Sequence, residues 1–305
     1  MRAYLFPGQG SQFVGMAKNL YNIYNPAKVL FDKCEEVLKI PLKTLMFDGP
    51  LRELTRPSVA QPAICLHSLV CLDYYKSRNQ DIVVDYFLGH SLGEYTALIA
   101  AGLLNVDDGM KLVHQRGLAM ETCVDKLEKS DRKFKMTAII LRPSKDSKFK
   151  LRDECCNIAN INSARQVILT GTKDAVREAC HELEKKSVAA RAIDLNVGGP
   201  FHSRLMKPAA VEFEKYIRNV EIKEPSEAKV KLISNVTANE QYNNSQEIKD
   251  LLIRQIYTTV RWSDCMKFLT EQKVTHFTEF GPKPILTRLA AMQYPQSKFQ
   301  SINDI

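Results

Sequence analysis

No stretch of this chain is apolar for the ~18 residues that a membrane-spanning helix requires. The longest candidate, Ala97 to Leu104, is under half that length. There is no Cys-x-x-Cys pair, no internal repeat and no low-complexity segment. The eight cysteines, at 34, 65, 71, 123, 155, 156, 180 and 265, follow no regular framework. That excludes a disulfide-stapled scaffold, and the thiols read as reduced, mostly buried small hydrophobes of an intracellular protein. His and Cys nowhere fall at metal-ligand spacing, so no metal is expected. Gly8-Gln9-Gly10 lacks both the Walker lysine and a full Gly-x-Gly-x-x-Gly pattern, which removes a phosphate loop. The first residues, Met1-Arg2-Ala3-Tyr4-Leu5-Phe6, show neither a signal-peptide core nor an Arg/Ser-rich presequence.

What is present is ordinary globular material: 305 residues, 45% hydrophobic and 26% charged. The net charge of +8 is spread along the chain, with mild clusters at 129–135 and 145–152. Aromatic residues do not interleave with them. The charge therefore fits a solvated surface or attraction to an acidic partner, without a nucleic-acid stacking pattern.

Strands and helices alternate, which predicts an α/β layer fold. Strands are expected at 2–6, 82–88, 230–235 and 274–279. Helices are expected at 27–38, 59–75, 94–104, 107–120, 206–220, 248–257 and 285–292. Between them, residues 126–195 read as a charged loop (126–135), a strand (136–141), a short helix (147–156), two strands (157–162 and 166–171), a helix (174–186) and a strand (188–195). That βαββαβ order is ferredoxin-like. The expectation is a large α/β-hydrolase-like unit with a parallel sheet, residues 1–125 and 196–305, carrying an inserted ferredoxin-like subdomain, 126–195.

Chemistry concentrates at Gly89-His90-Ser91-Leu92-Gly93, a Gly-x-Ser-x-Gly between a buried strand and an apolar helix. This is the pattern of a nucleophile elbow, in which the two glycines relieve crowding around the serine. The helix start lies beneath the hydroxyl, and the Leu92 N–H can face an oxyanion. A serine needs a base. Of the six histidines, those at 67, 114, 181 and 276 fall within helices or a late strand, and His90 is expected to pack or bond locally. His202, in Gly198-Gly199-Pro200-Phe201-His202-Ser203, occupies a rigid loop after a strand, where open sheets place catalytic groups. No convincing acid completes a triad. Asp194 is a candidate by order but lies in the preceding strand, so an amide or a backbone carbonyl is left to hold the imidazole. Arg116 follows the elbow helix by one connection and is suited to grip a carboxylate with two parallel hydrogen bonds.

Taken together, Phe6-Pro7-Gly8-Gln9-Gly10-Ser11-Gln12, Gly89 to Tyr95, Gln115-Arg116-Gly117, Pro200-Phe201-His202-Ser203, Gln255-Ile256-Tyr257 and Gly281-Pro282 closely resemble the malonyl-coenzyme A:acyl-carrier-protein transacylases. The motifs occur in the family's order and cover almost the whole chain. The resemblance implies Ser91 as acyl acceptor, His202 as its base, and Gln9 with the Leu92 N–H as oxyanion donors. It implies Arg116 as the malonyl clamp, Gln255 as the group holding His202, Asn162 at the cleft and Phe201 as a ring favouring malonyl. It further implies malonyl-coenzyme A and an acyl carrier protein as partners in fatty acid synthesis. No cofactor, nucleic acid or membrane is implied, and the working unit is a monomer. For a eukaryotic source the lean is to the mitochondrial matrix, otherwise to the cytoplasm. The alternatives are a serine esterase or thioesterase, which would need a triad acid, and a decayed carrier-protein-binding module. Two segments depart from the family: 123–135 is charged and lacks glycine, and Ser163-Ala164-Arg165 stands where Ser-Pro-Gly is usual.

Overall fold

The computed structural model describes residues 1–129, 132–143, 155–195, 198–239 and 242–303. Its strands are β1 (Arg2–Phe6), β2 (Tyr86–Gly89), β3 (Phe134–Leu141), β4 (Cys156–Ser163), β5 (Gln166–Thr172), β6 (Ala189–Leu195), β7 (Lys231–Leu232), β8 (His276–Phe280) and β9 (Lys298–Ile302). They form two sheets.

The first sheet has the order β7-β2-β1-β8-β9 and is parallel throughout. Alternation along its central strands divides the side chains between two cores. Tyr4, Phe6 and Phe87 point into the core shared with helices Pro57–Arg78 and Val106–Glu128. Ala3, Leu5, Tyr86 and Leu88 point into the core under helices Trp262–Glu271 and Leu286–Ala291. Burial on both faces is the usual condition of a parallel sheet, and it directs chemistry to the carboxyl ends of the strands.

The second sheet is antiparallel, with the order β4-β5-β3-β6. That is the ferredoxin-like order. One helix, Lys173–Lys185, covers it with Ala175, Val176 and Leu183. The short helix expected at 147–156 falls largely outside the described residues, although Cys156 itself opens β4.

Strand-to-side assignment in this sheet turns on a bulge. Ile158 pairs with Leu169 but Asn160 pairs with Ile168, so Ala159 is the extra residue of β4. Before it, Cys156 and Ile158 face the helix-side core; after it, Ile161 does. The bulge therefore turns Asn160 and Asn162 to the opposite face, towards the large sheet. There, β4 is tied to it by Val260, whose N–H donates to Ala159 O (2.8 Å) and whose carbonyl accepts from Ile161 N–H (2.9 Å).

Several elements differ from their sequence expectation. The strand placed at 82–88 starts only at Tyr86, because β1 offers partners from Ala3 onward and the residues before Tyr86 run past the sheet end. The elbow helix is Leu92–Ala100, begun at once by the sharp turn and followed by Gly102 at φ 77°. The strand at 230–235 shrinks to Lys231–Leu232, an edge pairing with β2 alone. Met206 lies in a 3-10 turn, and the helix proper is Lys207–Ile217, with Pro208 in its first turn. Helix Val106–Glu128 runs on through the expected 125/126 boundary. Helix Trp262–Glu271 and strand β9 were not anticipated.

Candidate active site

Ser91 sits between β2 and helix Leu92–Ala100 with φ 53° and ψ −106°, a conformation that side chains of L-residues seldom adopt. Two contacts explain the flanking glycines. A Cβ on Gly89 would lie 1.7 Å from the Gly93 carbonyl carbon, and one on Gly93 would lie 2.0 Å from Phe6 O. The turn is pinned from outside the motif by Asn235, which follows β7. Its Oδ1 accepts from Ser91 N–H (2.6 Å) and its Nδ2 donates to Gly89 O (2.8 Å).

Ser91 Oγ lies 2.8 Å from His202 Nε2. On the other side of the ring, Nδ1 lies 2.8 Å from the main-chain carbonyl of Gln255. A carbonyl only accepts, so Nδ1 carries the proton and Nε2 is left as the acceptor for the serine hydroxyl. His202 itself has φ 57°, held by the Pro200 loop and by Ser203, which caps the turn that follows. Burial, reinforced by the Arg116 charge, pulls the His202 pKa down to about 3, so the ring is neutral at ordinary pH.

Arg116 is fully buried. Its Nη2 donates to Ser91 Oγ (3.1 Å) and to the side-chain oxygen of Gln255 (2.9 Å), and its Nη1 donates to Gln61 Oε1 (2.8 Å). Burial lowers its pKa, opposed by Tyr95 and Glu94 nearby. Among the described residues no carboxylate is ion-paired with it.

These groups open into a cavity of about 740 Å³. Gln9, Phe201 and Asn162 line it, together with Met120, Met136, Ala138, Asn160 and Ile168. Lys283 and Arg288 are among its further lining residues. The structure thus brings Ser91, His202, Arg116, Gln9, Asn162 and Phe201 to one pocket. Leu92 opens the elbow helix, where the first N–H groups lack helical partners.

Two sequence expectations are revised in detail. Gln255 meets His202 through its backbone, and its side chain serves Arg116, Ser91 O and Glu94 instead. His90 packs, as one of its two expected fates, but it also reaches beyond its neighbourhood. Its Nε2 reaches Asn162 Oδ1 (3.1 Å) and Asn160 Nδ2 (3.2 Å) on the small sheet, while its ring leans on Trp262. Asp194, considered and set aside as a triad acid, pairs with Lys135 and Thr137 on the small sheet.

Sequence reasoning missed Gln61, Asn160 and Asn235. Asn235 alone carried a signal, as a polar residue just past a strand end.

Known proteins align with this arrangement. The family described as "Acyl transferase domain" matches residues 3–302. A malonyl CoA-acyl carrier protein transacylase of Bacillus subtilis (strain 168) is 39% identical over 99% of this chain and 93% of its own length. The chain belongs to the malonyl CoA-acyl carrier protein transacylase family. Among solved members, an acyl carrier protein S-malonyltransferase from Vibrio cholerae superposes with a TM-score of 0.89 at 34% identity, covering 100% of this chain and 97% of that one. A malonyl-transacylase solved in complex with its type II PKS acyl-carrier protein gives a TM-score of 0.89 at 30% identity, over 100% and 96% of the two chains.

Proposed function

We propose that this chain transfers a malonyl group from malonyl-coenzyme A to the phosphopantetheine thiol of an acyl carrier protein, through a malonyl ester on Ser91, for fatty acid synthesis. The observation that carries this is a buried arginine with no carboxylate ion-paired to it among the described residues, held 3.1 Å from the Ser91 oxygen. A buried cation is costly unless it is paired, and the substrate's carboxylate supplies the missing charge.

Neutral His202 takes the Ser91 proton as Oγ attacks the thioester carbonyl. Negative charge collects on the carbonyl oxygen, received by the Gln9 amide and the Leu92 N–H. Each such donor is worth about 3–4 kcal/mol. The tetrahedral species collapses, the carbon–sulfur bond breaks, and the coenzyme A thiolate takes the proton from His202. Malonyl-Ser91 remains, its carboxylate on Arg116. The carrier's thiol then gives its proton to His202 and its sulfur attacks the ester. Ser91 Oγ leaves and recovers the proton.

The Gln255 carbonyl fixes the tautomer without supplying the full negative charge that a carboxylate would offer the imidazolium. Thiols, with pKa near ~8.5, leave far more readily than alcohols, so thioester exchange asks less of the base than ester hydrolysis does. Phe201 beside His202 limits substituents on the malonyl methylene. The lining from the small sheet, Met136, Ala138, Asn160, Asn162 and Ile168, is the side along which we place the pantetheine arm.

We also read the chain as an acyl-holding unit, 1–125 and 196–305, bearing an insert, 126–195, with the helical junction moved past Glu128. A mitochondrial matrix location is proposed for a eukaryotic source, tested by fractionation. The decisive experiment is incubation with malonyl-coenzyme A followed by intact mass and peptide mapping. Malonyl on Ser91, discharged by holo carrier protein, supports the reading. A folded protein that takes no label overturns it.

A further inference from the structure

Glu94, in the first turn of the elbow helix, is 1% exposed and is not itself one of the residues that line the cavity. Among the described residues its oxygens are met by donors, the Ser234 hydroxyl among them. Tyr242 O–H donates to Oε1, and the Asn235 N–H (3.0 Å) and Gln255 Nε2 (2.7 Å) donate to Oε2. A carboxylate accepts and does not donate, so this cage suits the charged form, although burial raises its pKa.

Two of these donors, Asn235 and Gln255, lead to the site by one further step. Asn235 holds Ser91 N–H through its own side chain. Gln255 divides its amide between Glu94 and Arg116: with Nε2 committed to Glu94, Oε1 is turned to Arg116 Nη2. The same residue's main-chain carbonyl holds His202 Nδ1. An amide side chain can present either end. Glu94, together with the Ser91 carbonyl that the same Nε2 also reaches (3.0 Å), sets which end faces the arginine, because a flipped Gln255 would place its oxygen against the carboxylate and its NH₂ against the guanidinium. Arg116 and Glu94 are also opposite charges sharing one dry interior, linked by that amide.

We propose that Glu94 is a positioning residue for malonyl transfer: it locks the Gln255 side chain so that Arg116 is held, and its charge offset, in the orientation that receives the substrate carboxylate. This rests on the reading of Arg116 as the malonyl clamp.

The test is a double-mutant cycle on the full-length protein with Glu94→Gln and Gln255→Ala, reading kcat/KM for malonyl-coenzyme A against acetyl-coenzyme A. Gln255→Ala keeps the main-chain carbonyl that holds His202. Glu94→Gln is expected to lower the malonyl-over-acetyl preference about tenfold, the size of one charge-assisted hydrogen bond. Most of that loss should appear in KM for malonyl-coenzyme A. Adding it to Gln255→Ala should change the preference less than about twofold, since both act through one amide. A merely structural Glu94 would lower both donors equally and additively with Gln255→Ala, and that result overturns the proposal. Should Glu94→Gln not fold, Tyr242→Phe removes one donor from the same carboxylate and is expected to lower the preference by a smaller factor; an unchanged preference there overturns it as well. If the unmodified protein takes no malonyl on Ser91, it is the transferase reading that fails, and the two failures are distinguished at the outset.

Discussion

The two sheets solve opposite problems. In the parallel sheet both faces are buried, so its side chains build cores and its only free chemistry lies at the strand ends, where Ser91 follows β2 and Asn235 follows β7. In the antiparallel sheet one face is core under helix Lys173–Lys185 and the other is pocket wall: Ile139 and Leu141 pack, while Met136 and Ala138 of the same strand line the cavity. The first sheet presents a serine hydroxyl at a strained turn. The second makes a surface by alternation, corrected at Ala159 by a bulge. The proposed bond-making groups therefore belong to the doubly covered layer, and one wall of the cavity belongs to the singly covered one.

Substitutions on either side of this division are expected to differ in kind. The largest effect is Ser91→Ala, which removes the acyl acceptor and should lower transfer by about 10⁴-fold or more with the fold intact. Transfer retained at a per cent or more, measured with carrier protein as acceptor, would move the chemistry away from the large sheet. Arg116→Ala should cost malonyl transfer about 10²-fold more than acetyl transfer, read as the ratio of kcat/KM for the two donors; equal losses would remove the clamp.

Replacing both asparagines, Asn160→Ala with Asn162→Ala, should then sharpen the contrast. It strips the amides that β4 presents to the cavity and leaves Ser91, His202 and Arg116 in place. The expected result is a rise of about tenfold in KM for malonyl-coenzyme A, with Ser91 still labelled at saturating donor. Loss of labelling instead would show that the small sheet shares in the bond-making step.

The smallest effect is on pH. His202 acts as a base only when neutral, and its pKa is drawn down to about 3 by burial and Arg116. The kcat/KM profile should therefore lack a fall through 6.5 and stay level from pH 8 to about 5. Stability behaves differently. The unfolded imidazoles of His202 and of buried His67, also drawn to about 3, take up protons below 6.5 while the folded ones do not. Stability is thus full above 6.5 and is lost as pH falls from there towards 3, which urea titrations at pH 7 and pH 5 would measure.

Much of the site was legible because its residues sit in short motifs with local causes. Gly89 and Gly93 announce a turn that only glycine allows, and Pro200 announces the loop that carries His202. Arg116 was found by helix order alone. Gln255 was expected at the histidine from the resemblance, and it is the main-chain carbonyl that lies 2.8 Å from Nδ1, a distinction invisible in a one-dimensional chain. Asp194 shows the converse. Sequence order admitted it as an acid, and the antiparallel pairing of β6 with β3 sends it to Lys135 instead. His90 adjoins the nucleophile in sequence but serves the other sheet. Helix Trp262–Glu271 went unread although its buried face, Trp262, Cys265, Met266 and Leu269, has helical spacing.

By itself, the order of residues determined the alternation of strands and helices, the ferredoxin-like character of the insert, the strained serine and the candidate histidine for it, since each follows from spacing, turn chemistry or a motif a few residues long. The tertiary structure alone decided that the imidazole is held by a main-chain carbonyl, that a bulge at Ala159 aims two asparagines into the cavity, and that Glu94 reaches the arginine through one shared amide. Those are relations between residues up to 161 positions apart, and proximity at that separation is set by how the layers pack rather than by any pattern along the chain.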